Sequence, residues 1–198
     1  MGTRKGAERD GVEGHLSPAR QLTPFAKLML GADDRDDAPR ILYLAWLRNE
    51  IDDSQLSDWI LHVWRLAEWP GSLGQRAWLQ MFKAVGFIYE GLELGVGSSL
   101  DPCVTDGQVT VYRGAAQNRM RGFSWTVDPD RARWFADRSA GAGFPALVFA
   151  VTVPVSHVLA ALGVEGRSEG EIILNPNRLH GRFTPHVIDS DARPRAFG

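Results

Sequence analysis

The stretch "QVTVYRGAAQNRMRGFSWTVDPDRARWFADR", residues 108–138, decides the fold of the second half of the chain. It opens with a strand pattern that we expect to end at Arg113, where the next residue, a glycine, bends the backbone away. A second short strand follows, with Ser124 and Thr126 on one side and Trp125 on the other. Two strands and a helix in close succession predict a mixed α+β architecture.

The helix of this stretch reads "DPDRARWFADR". Asp128 is placed to cap its start and Pro129 occupies the first helical position, where the missing N–H of proline costs nothing. The spacing predicts an inward face that consists of Ala132, Phe135 and Ala136. Core packing is also the expected role of Trp134.

Further strand patterns lie closer to the C-terminus. "FPALVFAVTVP" places Leu147, Phe149, Val151 and Val153 on one face, "EGEIIL" is short and β-branched, and "FTPHVID" has a weaker strand pattern. In "EGEIIL", Glu169 and Glu171 share one face while Ile172 and Leu174 can face the core. Two carboxylates on one face repel each other, so they are either solvated at an edge or placed around a cation.

The first half of the chain has a helical period. Leu56, Trp59, Ile60, Val63 and Trp64 form one buried face, with Ser54 positioned as the cap. A second helix is predicted over Gln75–Val85, and earlier ones near "PARQLTPFAKLML" and "RILYLAWLRNE". We expect residues 1–18 to be a disordered arm, 19–98 a helical lobe and 99–198 the α+β domain.

Composition narrows the class of protein. With 44% apolar residues in 198, the chain can bury a sizeable core, and its net charge of -2 argues against strong non-specific binding to nucleic acid or anionic membranes. The single cysteine, Cys103, forms no disulfide framework, and no spacing of a zinc site is visible, so we expect no metal. Without a signal-peptide pattern or a membrane span, we expect a cytoplasmic protein, or one delivered into a target cell without a cleavable signal.

Each polar residue of the core stretch also has a structural interpretation. Taken alone, Arg113 is better explained by an ion pair than by a ligand, although its fork of donors suits phosphate or carboxylate. The hydroxyls of Ser124 and Thr126, taken alone, are better explained by hydrogen bonds to nearby backbone groups. The order of these elements along the chain changes the balance.

In that order, the aromatic-Arg of the first strand, the aromatic-Ser-x-Thr of the second, the helix with "WFA" and the later Glu-x-Glu resemble the Arg-Ser-Glu class of ADP-ribosyltransferases. This class includes clostridial-type toxins and arginine-specific ectoenzymes. The resemblance covers about residues 109–176. It implies a helical N-terminal lobe packed on an ADP-ribosyltransferase-like split β-sheet domain.

The resemblance also implies a role for each matched residue. Arg113 resembles the family's NAD-anchoring arginine, Ser124 the first residue of its Ser-Thr-Ser element, and Glu171 its catalytic glutamate. Glu169 corresponds to the residue that faces the acceptor in arginine-modifying members. The implied contacts with NAD come from Arg113, Gly114, Ser124, Trp125, Thr126 and Phe135.

Two positions depart from the family pattern. Trp125 stands where the family usually has threonine, and Thr126 replaces the final serine. A hydroxyl is kept at both positions that share a side of the strand, so the register of the motif is preserved.

The implied activity is NAD-dependent mono-ADP-ribosyl transfer to a macromolecule, with protein arginine as the leading acceptor. Positive charge develops on the ribose as nicotinamide leaves, and a fixed carboxylate at Glu171 stabilises this oxocarbenium-like transition state. Three alternatives stay open: an NAD glycohydrolase, a nucleic-acid ADP-ribosyltransferase, and a non-catalytic binding protein that keeps the fold. A toxin or effector role is typical of proteins that resemble this class.

Overall fold

The computed structural model describes residues 37–67, 70–86, 88–90, 104–140, 146–162 and 170–188. The described residues form an α+β structure with four α-helices and one eight-stranded sheet. The predicted arm over 1–18, the predicted helix in "PARQLTPFAKLML" and Glu169 lie outside the described residues.

Three helices precede the sheet, α1 (Ala38–Leu47), α2 (Asp53–Leu66) and α3 (Gln75–Val85). The bounds of α3 match those that its apolar spacing predicts. The expectation that Ser54 caps α2 is wrong, because Asp52 accepts a hydrogen bond from the Gln55 N–H and the Gln55 side chain accepts one from the Asp52 N–H. This reciprocal pair is a capping box, which requires the cap to lie three residues before Gln55.

The sheet consists of β1 (Ile88–Glu90), β2 (Val104–Thr105), β3 (Gln108–Ala116), β4 (Ser124–Thr126), β5 (Ala146–Pro154), β6 (Val158–Leu162), β7 (Glu171–Leu174) and β8 (His186–Val187). Its order is β1-β6-β7-β4-β3-β5-β8, with β2 paired to β3. All pairs are antiparallel except β1 with β6. The strands predicted in "QVTVYRG", "FPALVFAVTVP", "EGEIIL" and "FTPHVID" are all present, whereas β1, β2 and β6 were not predicted.

The sheet is weakly joined at its centre. β3 and β4 share a single residue pair, Tyr112 with Thr126, whereas β3 pairs with β5 along its whole length from Gln108 to Ala116. Beyond Tyr112 the two strands diverge, and Arg113 stands at this fork. The expectation that β3 ends at Arg113 is wrong, since the strand continues for three more residues.

Helix α4 (Pro129–Ala140) covers the β3–β5 half of the sheet. The Asp128 carboxylate accepts a hydrogen bond from the Asp130 N–H at 2.8 Å, which confirms the predicted cap. Ala132 and Ala136 face the sheet as predicted, but Phe135 and Trp134 are 38% and 45% exposed. The prediction that these two rings pack in the core is therefore wrong.

The helices α1 to α3 pack on the other half of the sheet. Their buried residues form one core cluster with Ala160 and Leu162 of β6 and Ile173 of β7. The opposite sheet face builds a second cluster, which includes Ile172 and Leu174 as predicted. The helical part and the sheet thus share one apolar core.

No helix in the described ranges has the length and apolar character needed to cross a membrane.

Candidate active site

Three neighbouring strands carry the three residues that the sequence singled out. Arg113 lies on β3, Ser124 opens β4 and Glu171 opens β7. The register pairs Thr126 with Glu171 and Ser124 with Ile173, so Ser124, Thr126 and Glu171 share one face of the sheet. The residues predicted to form the site are therefore close together in the fold.

A short hydrogen bond joins two of them. The Ser124 hydroxyl donates to Glu171 Oε1 at 2.6 Å, across the β4–β7 pair. Both residues are partly buried. Of the two predicted backbone-bonding hydroxyls, only that of Thr126 behaves so, since its Oγ1 accepts from the Asp128 N–H at 3.1 Å.

A second donor reaches the same carboxylate oxygen from the helical part of the chain. The indole Nε1–H of Trp64 on α2 donates to Glu171 Oε1 at 3.1 Å. The other oxygen, Oε2, has no hydrogen-bond partner among the residues that the structure describes. Glu171 is thus held through one oxygen and can offer the second to a bound molecule.

Arg113 occupies the fork between β3 and β4. Its Nε–H donates to the main-chain carbonyl of Arg119 at 3.1 Å and its Nη1 donates to the carbonyl of Ser124. The guanidinium thereby ties the link 117–123 and the start of β4 to β3. This differs from the predicted ion pair, because the described partners are carbonyl oxygens.

The electrostatic state of Arg113 follows from its surroundings. Burial lowers the pKa of Arg113 to about 10, partly offset by the negative charge of Glu171, while the nearby Arg119 lowers it further. The side chain stays protonated near neutral pH, because this value lies well above it. A positive charge is therefore fixed beside the Ser124–Glu171 pair.

Arg113 lies on a different face of the sheet from Ser124 and Glu171. Arg113 pairs with Phe149 on β5, and Phe149 belongs to the core on the sheet face opposite Ser124 and Glu171. The guanidinium reaches the main chain of β4 from that side. With two of its five N–H groups used in described hydrogen bonds, the remaining ones are the candidate donors to a ligand in the fork.

Gly122 is required by this arrangement. A Cβ built on Gly122 lies 2.4 Å from Arg113 Nη2 and 2.5 Å from Cζ, far inside van der Waals contact. Any larger residue at this position displaces the guanidinium. Gly122, the first residue of "GFSWT", is thus the surface against which the Arg113 guanidinium packs.

Two of the predicted NAD contacts have other roles in the structure. Trp125 is 2% exposed, lies in the second core cluster and donates its indole N–H to the Gly122 carbonyl at 2.8 Å. Gly114 lies under α4, where a Cβ lies 2.0 Å from the carbonyl oxygen of Ala132. The Trp125 ring is thus enclosed in the core, and Gly114 allows the close approach of α4 to β3.

Phe135 lies on the outer side of α4 rather than in the fork. Its ring contacts that of Trp134 edge to face at 4.9 Å, and the guanidinium of Arg131 lies 4.8 Å from the Trp134 centroid and 5.4 Å from that of Phe135. Among the described residues, neither Ser124 nor Glu171 has a contact with these two rings.

Sequence reasoning missed Trp64 as a site residue. Its helical spacing correctly predicted burial, and it is 4% exposed. The contact with Glu171 spans 107 residues of sequence, so no local pattern can show it. A buried tryptophan still needs a partner for its indole N–H, and this is the only signal that points to a polar contact.

Comparison of the chain with protein-family models, with curated proteins and with solved structures finds no match. The function is therefore argued from the site itself.

Proposed function

We propose that this protein is an NAD-dependent mono-ADP-ribosyltransferase that moves ADP-ribose to a macromolecular acceptor. The observation that carries the proposal is the Ser124–Glu171 hydrogen bond of 2.6 Å beside the fixed charge of Arg113, all on three adjacent strands. A carboxylate oriented by a hydroxyl, next to a cationic group, suits a dinucleotide with a sugar that becomes positively charged.

The reaction breaks the bond between the ribose C1' and the nicotinamide nitrogen. Its electron pair goes to nicotinamide, which leaves neutral, and the acceptor atom forms a new bond to C1' and loses a proton to solvent or a base. Positive charge on the ribose is largest in between, so a carboxylate stabilises the transition state more than the bound substrate. Glu171 supplies that carboxylate through Oε2, the oxygen without a described partner.

Ser124 and Arg113 act on the geometry of the site. The Ser124 hydroxyl fixes Glu171 Oε1, and the carbonyl of the same serine accepts from Arg113. One residue thus links the acidic group to the basic one. The unused N–H groups of Arg113 are placed at the fork, where we propose that they hold the pyrophosphate.

The proposed acceptor is a protein arginine. It rests on Glu169, which precedes β7 by two residues and lies outside the described residues. A carboxylate at that position can orient a guanidinium and accept its proton as it attacks. A nucleic-acid acceptor gives a different labelled product and is an outcome of the experiment below.

The experiment supplies NAD labelled in the adenylate part to a lysate together with the purified protein. We expect label in macromolecules with wild type, and a loss of about a hundredfold or more in labelling rate with Glu171→Gln. Protease and nuclease digestion then separates protein from nucleic-acid acceptors, and mass spectrometry identifies the modified residue.

Two further variants sharpen the result. Ser124→Ala removes the hydroxyl that orients Glu171, so we expect slower labelling, whereas Thr152→Val removes a hydroxyl elsewhere in the sheet and should behave as wild type. Rapid nicotinamide release with wild type but no labelled macromolecule would show a glycohydrolase instead. Equal behaviour of wild type and Glu171→Gln would refute the site assignment.

A further inference from the structure

A tryptophan of the helical part is joined to the carboxylate of the proposed site. Trp64 is 4% exposed, and its indole Nε1–H donates a hydrogen bond to Glu171 Oε1 at 3.1 Å. Glu171 belongs to β7 and Trp64 to α2, so this bond crosses from the helices to the sheet.

We propose that Trp64 is a positioning residue, which holds the Glu171 carboxylate in the orientation that the reaction needs. The inference rests on the proposed function and extends the site to a residue of the helical part. Trp64 acts through Glu171 and does not itself touch the substrate.

The geometry explains why two donors are needed. A glutamate side chain has several freely rotating bonds, and one hydrogen bond leaves its carboxylate able to swing about that contact. Ser124 reaches Oε1 from β4 and Trp64 reaches the same oxygen from α2. Two donors from different elements fix the direction of the carboxylate, and Oε2 is then presented in one orientation.

The tryptophan is itself held rigidly. Its ring meets those of Trp78 and Phe82 on α3 edge to face, at 4.9 Å and 5.8 Å. On the other side it meets the ring of Phe123 at 5.6 Å, again edge to face. Since Phe123 directly precedes Ser124, both donors to Glu171 Oε1 are anchored in one aromatic cluster.

This arrangement makes the helical part necessary for the chemistry. The indole N–H of Trp64 is the group through which α2 contacts the carboxylate of the proposed site. A substitution that removes this donor and keeps an aromatic ring should therefore change the rate and leave substrate binding in place.

The test is Trp64→Phe in the full chain, with nicotinamide release from NAD in the presence of a lysate that supplies acceptors as the readout. We expect kcat to fall about tenfold with KM for NAD unchanged, because one of two hydrogen bonds to a charged group is lost. Trp46→Phe is the matched control, since it also removes an indole N–H that donates to a carboxylate, that of Asp53 at 2.8 Å, outside the proposed site. It should keep the wild-type kcat.

A second measurement needs no turnover. In protein labelled with carbon-13 at glutamate carboxylates, the Glu171 signal is identified by its loss in Glu171→Gln. It should move in Trp64→Phe and stay in place in Trp46→Phe.

The two measurements separate the possible failures. If wild type releases no nicotinamide, the proposed function is wrong, while the carboxylate signal still reports whether Trp64 orients Glu171. If Trp64→Phe leaves both kcat and the Glu171 signal unchanged, or if Trp46→Phe lowers kcat equally, the positioning role is overturned.

Discussion

At the scale of single residues, the site depends on how tightly Arg113 is enclosed. Its guanidinium bonds two main-chain carbonyls and packs against Gly122, so the side chain has little room to move. The position of the positive charge beside Ser124 and Glu171 therefore depends on Gly122 and on the two carbonyl acceptors as well as on Arg113 itself.

We expect Gly122→Ala to displace Arg113. The added methyl lies 2.4 Å from Nη2, so the guanidinium must leave its carbonyl partners. We expect a loss of about 1–3 kcal/mol in the free energy of unfolding, measured by urea denaturation. The loss should shrink in an Arg113→Ala background, where the clash is absent. An equal loss in both backgrounds would contradict the proposed cause.

His157 gives the molecule a pH-dependent stability. Burial and the nearby Arg178 lower the pKa of His157 below its ordinary value of 6.5, and its Nδ1 is buried without a described hydrogen-bond partner. As pH falls through 6.5, the unfolded chain gains a proton at this residue that the folded chain does not yet accept. The contribution of His157 to the stability of the fold is therefore complete above pH 6.5, and it decreases as the pH falls from 6.5 through the lowered pKa of His157.

The prediction is that His157→Gln flattens this dependence. Urea midpoints measured on either side of pH 6.5 should differ less in the variant than in wild type, while His62→Gln, at an exposed histidine, should leave the difference unchanged. A wild-type midpoint that rises toward acid pH would contradict the sign of the shift.

Residue types and alternation alone favoured structural roles for Arg113 and Ser124. The family resemblance singled out Arg113, Ser124 and Glu171, which the structure places on three adjacent strands. The partners of Arg113 could not be predicted, because main-chain carbonyls become acceptors only once the link 117–123 has folded back on β3. Trp125 was assigned a ligand contact that its burial in the core excludes.

At the scale of elements, α4 packs very closely against β3 next to the fork between β3 and β4. Gly114 makes that approach possible, since a Cβ there meets the backbone of α4 at Ala132 and Ala136. The same closeness explains why Trp134 and Phe135 lie outside: only the alanines of α4 fit against β3.

We expect Gly114→Ala to be one of the most destabilising single substitutions in this chain. The methyl meets backbone atoms that cannot rotate away, so α4 must shift, at a cost of about 3 kcal/mol. Gly107→Ala is the control, because Gly107 has a φ of +70° and nothing within 4 Å of its Cβ. Its strain alone should cost about 1 kcal/mol in the same urea experiment. Similar losses in both variants would contradict the account of the packing.

Helix α3 was located from the period of its single buried face. Strand β5 was located from its β-branched and aromatic residues, although both of its faces are buried, with Val148 in the cluster under α4 and Phe149 in the second cluster. Strand β6 is also buried on both faces, with Ala160 and Ala161 in different clusters. It was missed because its sequence, "VLAAL", has neither an alternating pattern nor a concentration of β-branched residues.

At the scale of the whole molecule, the helices and the sheet share one core. Ile173 of β7 is fully buried among residues of α1 to α3, while its neighbour Leu174 points into the second cluster. The strand that carries Glu171 is thus buried on both faces, against the helices on one side and in the second cluster on the other.

We expect the helices and the sheet to unfold together. Ile173→Ala should lower the free energy of unfolding by about 2–5 kcal/mol. In urea, the helical signal in circular dichroism and the tryptophan fluorescence should both report this destabilised unfolding as one coincident transition. Leu174→Ala, a similar truncation in the second cluster, should do the same. Two separate transitions in wild type would show that the parts are independent.

The central claim is that Glu171 stabilises positive charge on the ribose of NAD, and the rate of nicotinamide release that the protein adds to a lysate, which supplies acceptors, tests it most directly. The comparison is between wild type, Glu171→Gln and Glu50→Gln, which makes the same change at an exposed glutamate. We predict that Glu171→Gln falls about a hundredfold or more and that Glu50→Gln keeps the wild-type rate. A Glu171→Gln rate equal to that of wild type would contradict the claim.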